Sequence, residues 1–405
     1  MLSEREQKGF QIAALSKIKR NQAGWWVPSQ SGNGKYLVVL DRELPFCTCP
    51  DYEARQQPCK HIYAVEFTIR RETKADGTTT VTKTMRVTYK QDWPAYNAAQ
   101  THEQPQFERL LRSLCEGIQQ PAQRMGRPRL PMSDMVFTLV SKVYSMKSGR
   151  RFAGALQEAE TKGLIGKASD FSSGYRYLEN PALTTILKAL VEESASPLKA
   201  VESDFAVDSS GFATSVYSRW YDAKYGKVKS EQQWLKAHLM VGVKTNVVTS
   251  VEVTDGNAND SPYLPQLVNA TASRFQIEEV SGDKGYISKR NLEAVVAVGA
   301  MPYIPFKDNT TGEGPELWRR MFYFYQFNRQ TFLAHYHKRS NVETTFSMIK
   351  GKFGGAIRSK TPVAQRNEVL CKVLAHNICC LISSIYELGL EPTFSSELAL
   401  DAKVA

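Results

Sequence analysis

The chain has 405 residues, 42% of them hydrophobic and 23% charged, with a formal net charge of +11. That length supports two or three domains, and the composition reads as soluble and globular. The positive excess points to a polyanion partner, nucleic acid first, with a merely basic surface as the bland alternative.

The N-terminus, "MLSEREQKGF", lacks the apolar core of a signal peptide. No apolar run approaches the roughly 18 residues of a membrane span. "ICCLISSI" (378–385) is too short and reads as a buried helix, so no membrane partner is expected. Within residues 1–90, "KYLVVL" (35–40) and "TTTVTKTMRVTYK" (78–90) read as strands. Between them lies "CTCPDYEARQQPCKH", which holds Cys47, Cys49, Cys59 and His61. Three thiolates and an imidazole suit tetrahedral zinc, and alternate residues of an extended segment can chelate one ion in pairs. The arrangement resembles the SWIM zinc finger, a module associated with DNA or protein binding. The other cysteines, Cys115, Cys371, Cys379 and Cys380, sit in apolar settings and read as core. Such usage fits a reducing cytoplasm better than a secreted disulfide framework.

"QDWPAYNAAQTHEQPQ" (91–106) is polar, with two prolines and no periodicity, and reads as a linker. Residues 107–200 are helical in pattern, with 14 Lys/Arg against 9 Asp/Glu over 107–199. They read as a DNA-binding domain, the alternative being a packing domain. From 201 the pattern changes. "DFAVDSS" (204–210), "AHLMVGVKT" (237–245) and "VVTSVEVTD" (247–255) read as strands. A helix at 261–275, a strand at 278–283, a helix at 288–299 and a strand at 301–305 follow, and two long helices near 331–350 and 365–388 close the series. The expectation is a mixed-sheet α/β domain over 201–390 with a tail at 391–405. Trp318 and Phe322 in "PELWRRMFYFYQF" read as core packing rather than as base-stacking residues.

Asp208 is expected at the end of the first of these strands and Asp283 at the end of the fourth, each among small residues. First and fourth strands of such a sheet often lie side by side, which would bring the two carboxylates together. Glu343 lies on a helix whose apolar stripe, Val342, Phe346, Ile349 and Phe353, packs it beside the sheet. Three converging carboxylates repel one another unless a hard divalent cation such as Mg²⁺ or Mn²⁺ joins them. Asp204 competes for these roles, as do Asp255 and Asp260, for which turn and capping duties suffice.

Beside the apolar stripe runs a polar one. Tyr336, Arg339, Glu343 and Lys350 fall within roughly 60° of one another on a helical wheel. This Tyr-Arg-Glu-Lys spacing resembles the signature of DDE-class insertion-sequence transposases, whose catalytic domain has the RNase H-like fold. "AVDSSGF", "GDKGY", "KGKFG" and "LAHNI" add to the resemblance, which covers about 201–388. It implies an α/β, RNase H-like domain in which Asp208, Asp283 and Glu343 ligate magnesium or manganese. It also implies that Tyr336, Arg339 and Lys350 contact phosphates of the transposon end. Residues 335–372 carry eight Lys/Arg and two Asp/Glu, in keeping with that. The implied partners are terminal inverted repeats and target DNA, with a dimer as the active complex, in a prokaryotic cytoplasm at the nucleoid. The rival readings are a transposase-derived adaptor without catalysis and an RNase H-like nuclease acting on RNA.

Overall fold

In the computed structural model the chain divides into two units, residues 1–91 and 92–405. The residues described are 5, 8, 9, 12, 13, 16, 18–21, 23–30, 34–40, 45–73 and 79–83 of the first unit, and 92–123, 125, 126, 128–214, 224 and 234–395 of the second.

The first unit has an antiparallel sheet of β1 (Lys19–Asn21), β2 (Gly24–Pro28), β3 (Lys35–Val39) and β4 (Phe46–Cys47), in that order. Trp25 and Val27 alternate inward on β2 and meet Val38 of β3, as a half-buried strand requires. Gly24 makes the β1–β2 turn at φ +138°, where a Cβ would stand 2.7 Å from the Val38 carbonyl. Two helices follow, α1 (Pro50–Arg55) and α2 (Lys60–Thr68), then a hairpin of β5 (Ile69–Thr73) and β6 (Thr79–Lys83). The strand expected at 78–90 is present over 79–83, and its remainder, 84–90, lies outside the described residues.

The second unit opens with helices α3 (Trp93–Thr101), α4 (Glu103–Glu116), α5 (Met132–Ser145), α6 (Gly149–Thr161), α7 (Phe171–Leu178) and α8 (Pro181–Ala195). The stretch expected as a linker, 91–106, is therefore helical almost throughout. The Asp92 side chain caps α3 by accepting from Ala95 N at 3.1 Å. Pro94 and Pro105 fall in the first turns of α3 and α4, where the missing N–H has no helical partner to lose. Nor are the helices a separate body. Leu111 and Leu114 of α4, Val136 and Val140 of α5, and Leu187 and Leu190 of α8 share one core with the sheet that follows.

That sheet has the order β11-β10-β7-β8-β9. Its strands are β7 (Asp204–Ala213), β8 (Trp234–Gly242), β9 (Val248–Asp255), β10 (Glu279–Gly282) and β11 (Met301–Tyr303). β7, β8 and β9 are antiparallel neighbours, whereas β10 and β11 run parallel to β7. Helices α9 (Leu264–Ala272) and α10 (Lys289–Ala297) supply the crossovers between β9, β10 and β11. After β11 come α11 (Glu316–Phe327), α12 (Arg329–Tyr336), a 3₁₀ turn at His337–Arg339, α13 (Ser340–Phe353) and α14 (Pro362–Leu388). The fold is thus mixed α/β, as the sequence implies, with a small antiparallel sheet, a helical region and a five-stranded mixed sheet. Trp318 and Phe322 pack against a satellite core of Tyr303, Phe306, Met321, Tyr325 and Phe332.

α14 ties the helices to the sheet. Asn377 behaves as a substitute strand residue for the edge of β9. Its Oδ1 accepts from Val248 N at 2.8 Å and its Nδ2 donates to Val248 O at 2.7 Å, with a further donation to Ser194 Oγ of α8 at 2.9 Å. The most apolar 18-residue window of α14 has a mean hydropathy of 1.6, enough in length and composition to cross a bilayer. Lys372, His376 and Asn377 break its apolar pattern, so the sequence shows no uninterrupted run there. Of that window, 78% is buried in the core. Cys115, Cys371 and Cys380 are buried as expected, and Cys379 is half-buried.

His376 of α14 is buried and its Nε2 lies 2.9 Å from the Asn246 carbonyl. Burial pushes its pKa down to about 4. The unfolded chain therefore takes up a proton on this residue near pH 6.5 that the folded chain refuses until about 4. Stability from this source is complete above pH 6.5 and falls as the pH drops, by at most about 1.4 kcal/mol per unit. Urea unfolding at pH 7 and pH 5 should show a lower midpoint at pH 5, and His376→Asn should show a smaller decline.

Candidate active site and metal centre

The four predicted zinc ligands converge. Cys47 ends β4, Cys49 precedes α1, and Cys59 and His61 flank the start of α2. Pro50 begins α1, and Tyr52 N and Glu53 N both return to the Cys49 carbonyl at 3.0 Å, which turns the chain back on itself. All four side chains are buried, and their ligand atoms lie within 4.8 Å of one another. His61 Nδ1 stands 3.9 Å from Sγ of both Cys47 and Cys59. Tetrahedral zinc with Zn–S near 2.3 Å and Zn–N near 2.0 Å sets ligand separations of about 3.5–3.8 Å, so the group fits a structural zinc. His61 Nε2 is buried without a hydrogen-bond partner, which leaves Nδ1 as the nitrogen turned to the thiols. The crowded thiols do not ionise alike. The hydrogen bond between them holds Cys59 low and pushes Cys47 up. A divalent cation removes that conflict by taking all three as thiolates.

The second centre is built around β7. The register pairs Val207 with Gly282, the last residue of β10. Beyond that pair β7 continues against β8, and among the described residues its other flank is paired again only at Ala213, which bridges to Ala356 in parallel. Asp208 is therefore in the middle of a ten-residue strand and not at its end, as the sequence reading expected; it stands where one flank of the strand opens. Asp283, the next residue after β10, leaves the sheet beside it. A Cβ at Gly282 would come within 2.9 Å of Val207, so glycine allows the two strands to meet there. Asp283 accepts from Gly285 N at 3.4 Å and so caps the short 3₁₀ turn Lys284–Tyr286.

Glu343 stands in the first turn of α13 with 57% of its side chain exposed. Val342, Phe346, Ile349 and Phe353 are buried and hold α13 on the sheet. The polar stripe is not carried by one continuous helix. α12 stops at Tyr336, and the 3₁₀ turn His337–Arg339 intervenes, its Lys338 and Arg339 both paired with acidic residues of the sheet. Lys338 Nζ donates to Asp204 and to Glu279, each at 2.7 Å. Arg339 donates through Nη1 to Asp208 and through Nη2 to Glu343, the latter at 2.5 Å. Lys350 Nζ reaches Ser210 Oγ at 2.6 Å and lies over the Phe212 ring at 5.3 Å. Burial lowers its pKa. Tyr336 is half-buried, with its ring 5.9 Å from the Arg339 guanidinium.

Burial pushes the Asp208 carboxyl above its usual range, and the charges of Asp283 and Glu343 add to the shift, while the Ser209 amide and Arg339 oppose it. Arg339 thus joins Asp208 to Glu343, while Asp283 follows the Val207–Gly282 pair by one residue. Carboxylates are the donors a hard divalent cation takes, but among the described residues the Cys₃His group is the one whose ligand atoms already lie close enough together for an ion.

The competing aspartates part company here. Asp204 is taken by Lys338, and Asp255 is 85% exposed beside Arg366. Asp260 precedes a 3₁₀ turn yet makes no side-chain cap, contrary to the capping duty expected of it. It accepts instead from Ser209 Oγ at 2.9 Å and Lys236 Nζ at 3.1 Å. Sequence reasoning missed Lys338, Ser209, Ser210 and Lys236. For Lys338 and Ser210 the available signal was the period of two on β7, since Asp204, Asp208 and Ser210 share one face; Ser209 points to the other face and Lys236 lies on β8, so neither carried that signal.

The reduced full chain should contain one zinc per chain by elemental analysis. Cys47→Ala should abolish it and unfold the first unit, because the metal supplies much of the folding free energy of so small a body.

Residues 199–378 match the model of the transposase DDE domain, and residues 36–69 match that of the SWIM zinc finger. Comparison with curated proteins returns no match. The chain therefore carries a transposase DDE domain preceded by a SWIM zinc finger with a Cys₃His group.

Proposed function

We propose that the chain is a DNA transposase that cuts DNA at the ends of an insertion sequence and joins them to a target. The observation that supports this best is that Arg339 bridges Asp208 and Glu343 within a DDE domain, with Asp283 one residue beyond the Val207–Gly282 pair. These three carboxylates would hold Mg²⁺ or Mn²⁺, which when bound polarises the scissile phosphate and favours deprotonation of a water or a DNA 3′-hydroxyl. Arg339 presents a planar fork toward the same spot, a geometry suited to phosphate as well as carboxylate. Lys350 adds a point charge beside Ser210, and Tyr336 a hydroxyl at the end of α12. Together they orient a transposon end so that its phosphodiester lies against the carboxylates. The +11 net charge favours the approach of terminal repeats and target DNA. A dimer serves as the active complex because two ends are processed together, and the setting is a prokaryotic cytoplasm at the nucleoid.

Asp208→Asn and Glu343→Gln keep size and hydrogen bonding but remove charge. Each should bind end DNA and lose nicking in Mg²⁺ or Mn²⁺ by on the order of a hundredfold or more, while Asp255→Asn should cut normally. Wild-type protein that leaves genuine ends uncut with either metal would favour the adaptor. Arg339→Ala and Lys350→Ala should weaken end binding and lower the salt slope of log affinity by about 0.9 for each phosphate no longer neutralised. Binding equal to wild type across a salt series would remove the phosphate role.

A further inference from the structure

We propose that Asp260 is a positioning residue for the metal-binding carboxylate Asp208, acting through Ser209; this rests on the active-site reading above. Ser209 is held from both sides of β7. Its amide donates to Asp208 Oδ1 at 2.8 Å, and its hydroxyl donates to Asp260 Oδ1 at 2.9 Å. Successive residues of a strand face opposite ways, so Asp208 and the Ser209 side chain point to opposite faces. Anchoring the Ser209 hydroxyl on one face therefore fixes the peptide whose N–H orients Asp208 on the other.

Asp260 is itself fixed. Lys236, opposite Gly211 in the register, donates to Asp260 Oδ1 at 3.1 Å and to the Ala258 carbonyl at 2.7 Å, which pins the turn that carries Asp260. His238, opposite Ser209, is fully buried, stacks on Tyr263 with centroids 4.6 Å apart, and lies 3.0 Å from Thr254 Oγ1. Its Nδ1 has no hydrogen-bond partner and points at Asp260 Oδ1 from 3.6 Å. A buried ring nitrogen aimed at a carboxylate that already takes two donors is more than turn formation requires, and Asp260 forms no cap. Asp260 thus belongs to the surroundings of the acidic centre rather than to the loop alone.

The test uses the full chain and Mn²⁺, followed by water-proton relaxation, in wild type, Asp208→Asn, Ser209→Ala and Asp260→Ala, with thermal midpoints measured on each. The Mn²⁺ bound by wild type and lost in Asp208→Asn defines the site. Ser209→Ala and Asp260→Ala should each weaken that binding by about tenfold or more, as loss of groups orienting metal ligands does. Ser209→Ala should do so with an unchanged melting temperature, which a merely structural role would not produce. Wild-type affinity in Ser209→Ala overturns the proposal, since the link runs through its hydroxyl. Loss in Asp260→Ala as complete as in Asp208→Asn overturns it too, by making Asp260 a ligand. If Asp208→Asn binds Mn²⁺ like wild type, the active-site reading fails and this inference with it; if Asp208 matters and Ser209 does not, this inference fails alone.

Discussion

A strand paired on both sides as far as Val207, then on one side until Ala213 bridges to Ala356, decides where the acidic residues stand. β10 ends at Gly282 because Asp283 turns away into a 3₁₀ turn, while β7 runs on against β8. The gap in pairing that results, between Val207 and Ala213, lets a carboxylate anchored by a rigid backbone reach water on that flank. Parallel pairing of β10 with β7 brings Asp283 to the same flank without further machinery. Ladder hydrogen bonds set the position of Asp208, and Asp283 is held one residue beyond the ladder by its cap of the 3₁₀ turn.

Packing then brings the third carboxylate. α13 sits on β7 through four buried apolar residues, and α14 behind it joins the helical region and the edge of β9 into one core. Asn377 shows why this core is specific as well as apolar. A buried amide that matches both backbone groups of Val248 tolerates one register, since any slip leaves donors and acceptors unpaired at a cost of about 1–3 kcal/mol each. The shared core also explains why the basic helices preceding the sheet cannot be treated as a separate module.

Much of this was legible in the sequence because it is local. The alternation of Cys47 and Cys49, the apolar period of Val342, Phe346, Ile349 and Phe353, and the small residues around Asp208 and Asp283 each report short-range geometry. What failed was what depends on partners far along the chain. The 91–106 stretch looks like a linker because only Ala99 of α3 is buried, so the segment has little apolar period to show. The length of β7 was underestimated because Ser209, Ser210 and Gly211 resemble a turn until β8 is known to pair with them. Asp260 reads as a cap because its loop is rich in turn residues, whereas its partners Ser209 and Lys236 lie 51 and 24 residues away.

The break at 337–339 follows from the same long-range constraint. Lys338 and Arg339 are adjacent, with Cα atoms about 3.8 Å apart. Their partners Asp204 and Asp208 are four strand residues apart, about 13 Å. Both contacts can form only if the two side chains splay in opposite directions along β7 while the backbone crosses the strand between them. Adjacent side chains stand about 100° apart in an α-helix and about 120° apart in a 3₁₀ turn, so the turn suits two contacts that diverge along the strand, and α13 starts immediately afterwards. The direction in which Glu343 leaves is thereby set by the strand that carries Asp208, which makes the acidic centre a property of β7 and of what crosses it.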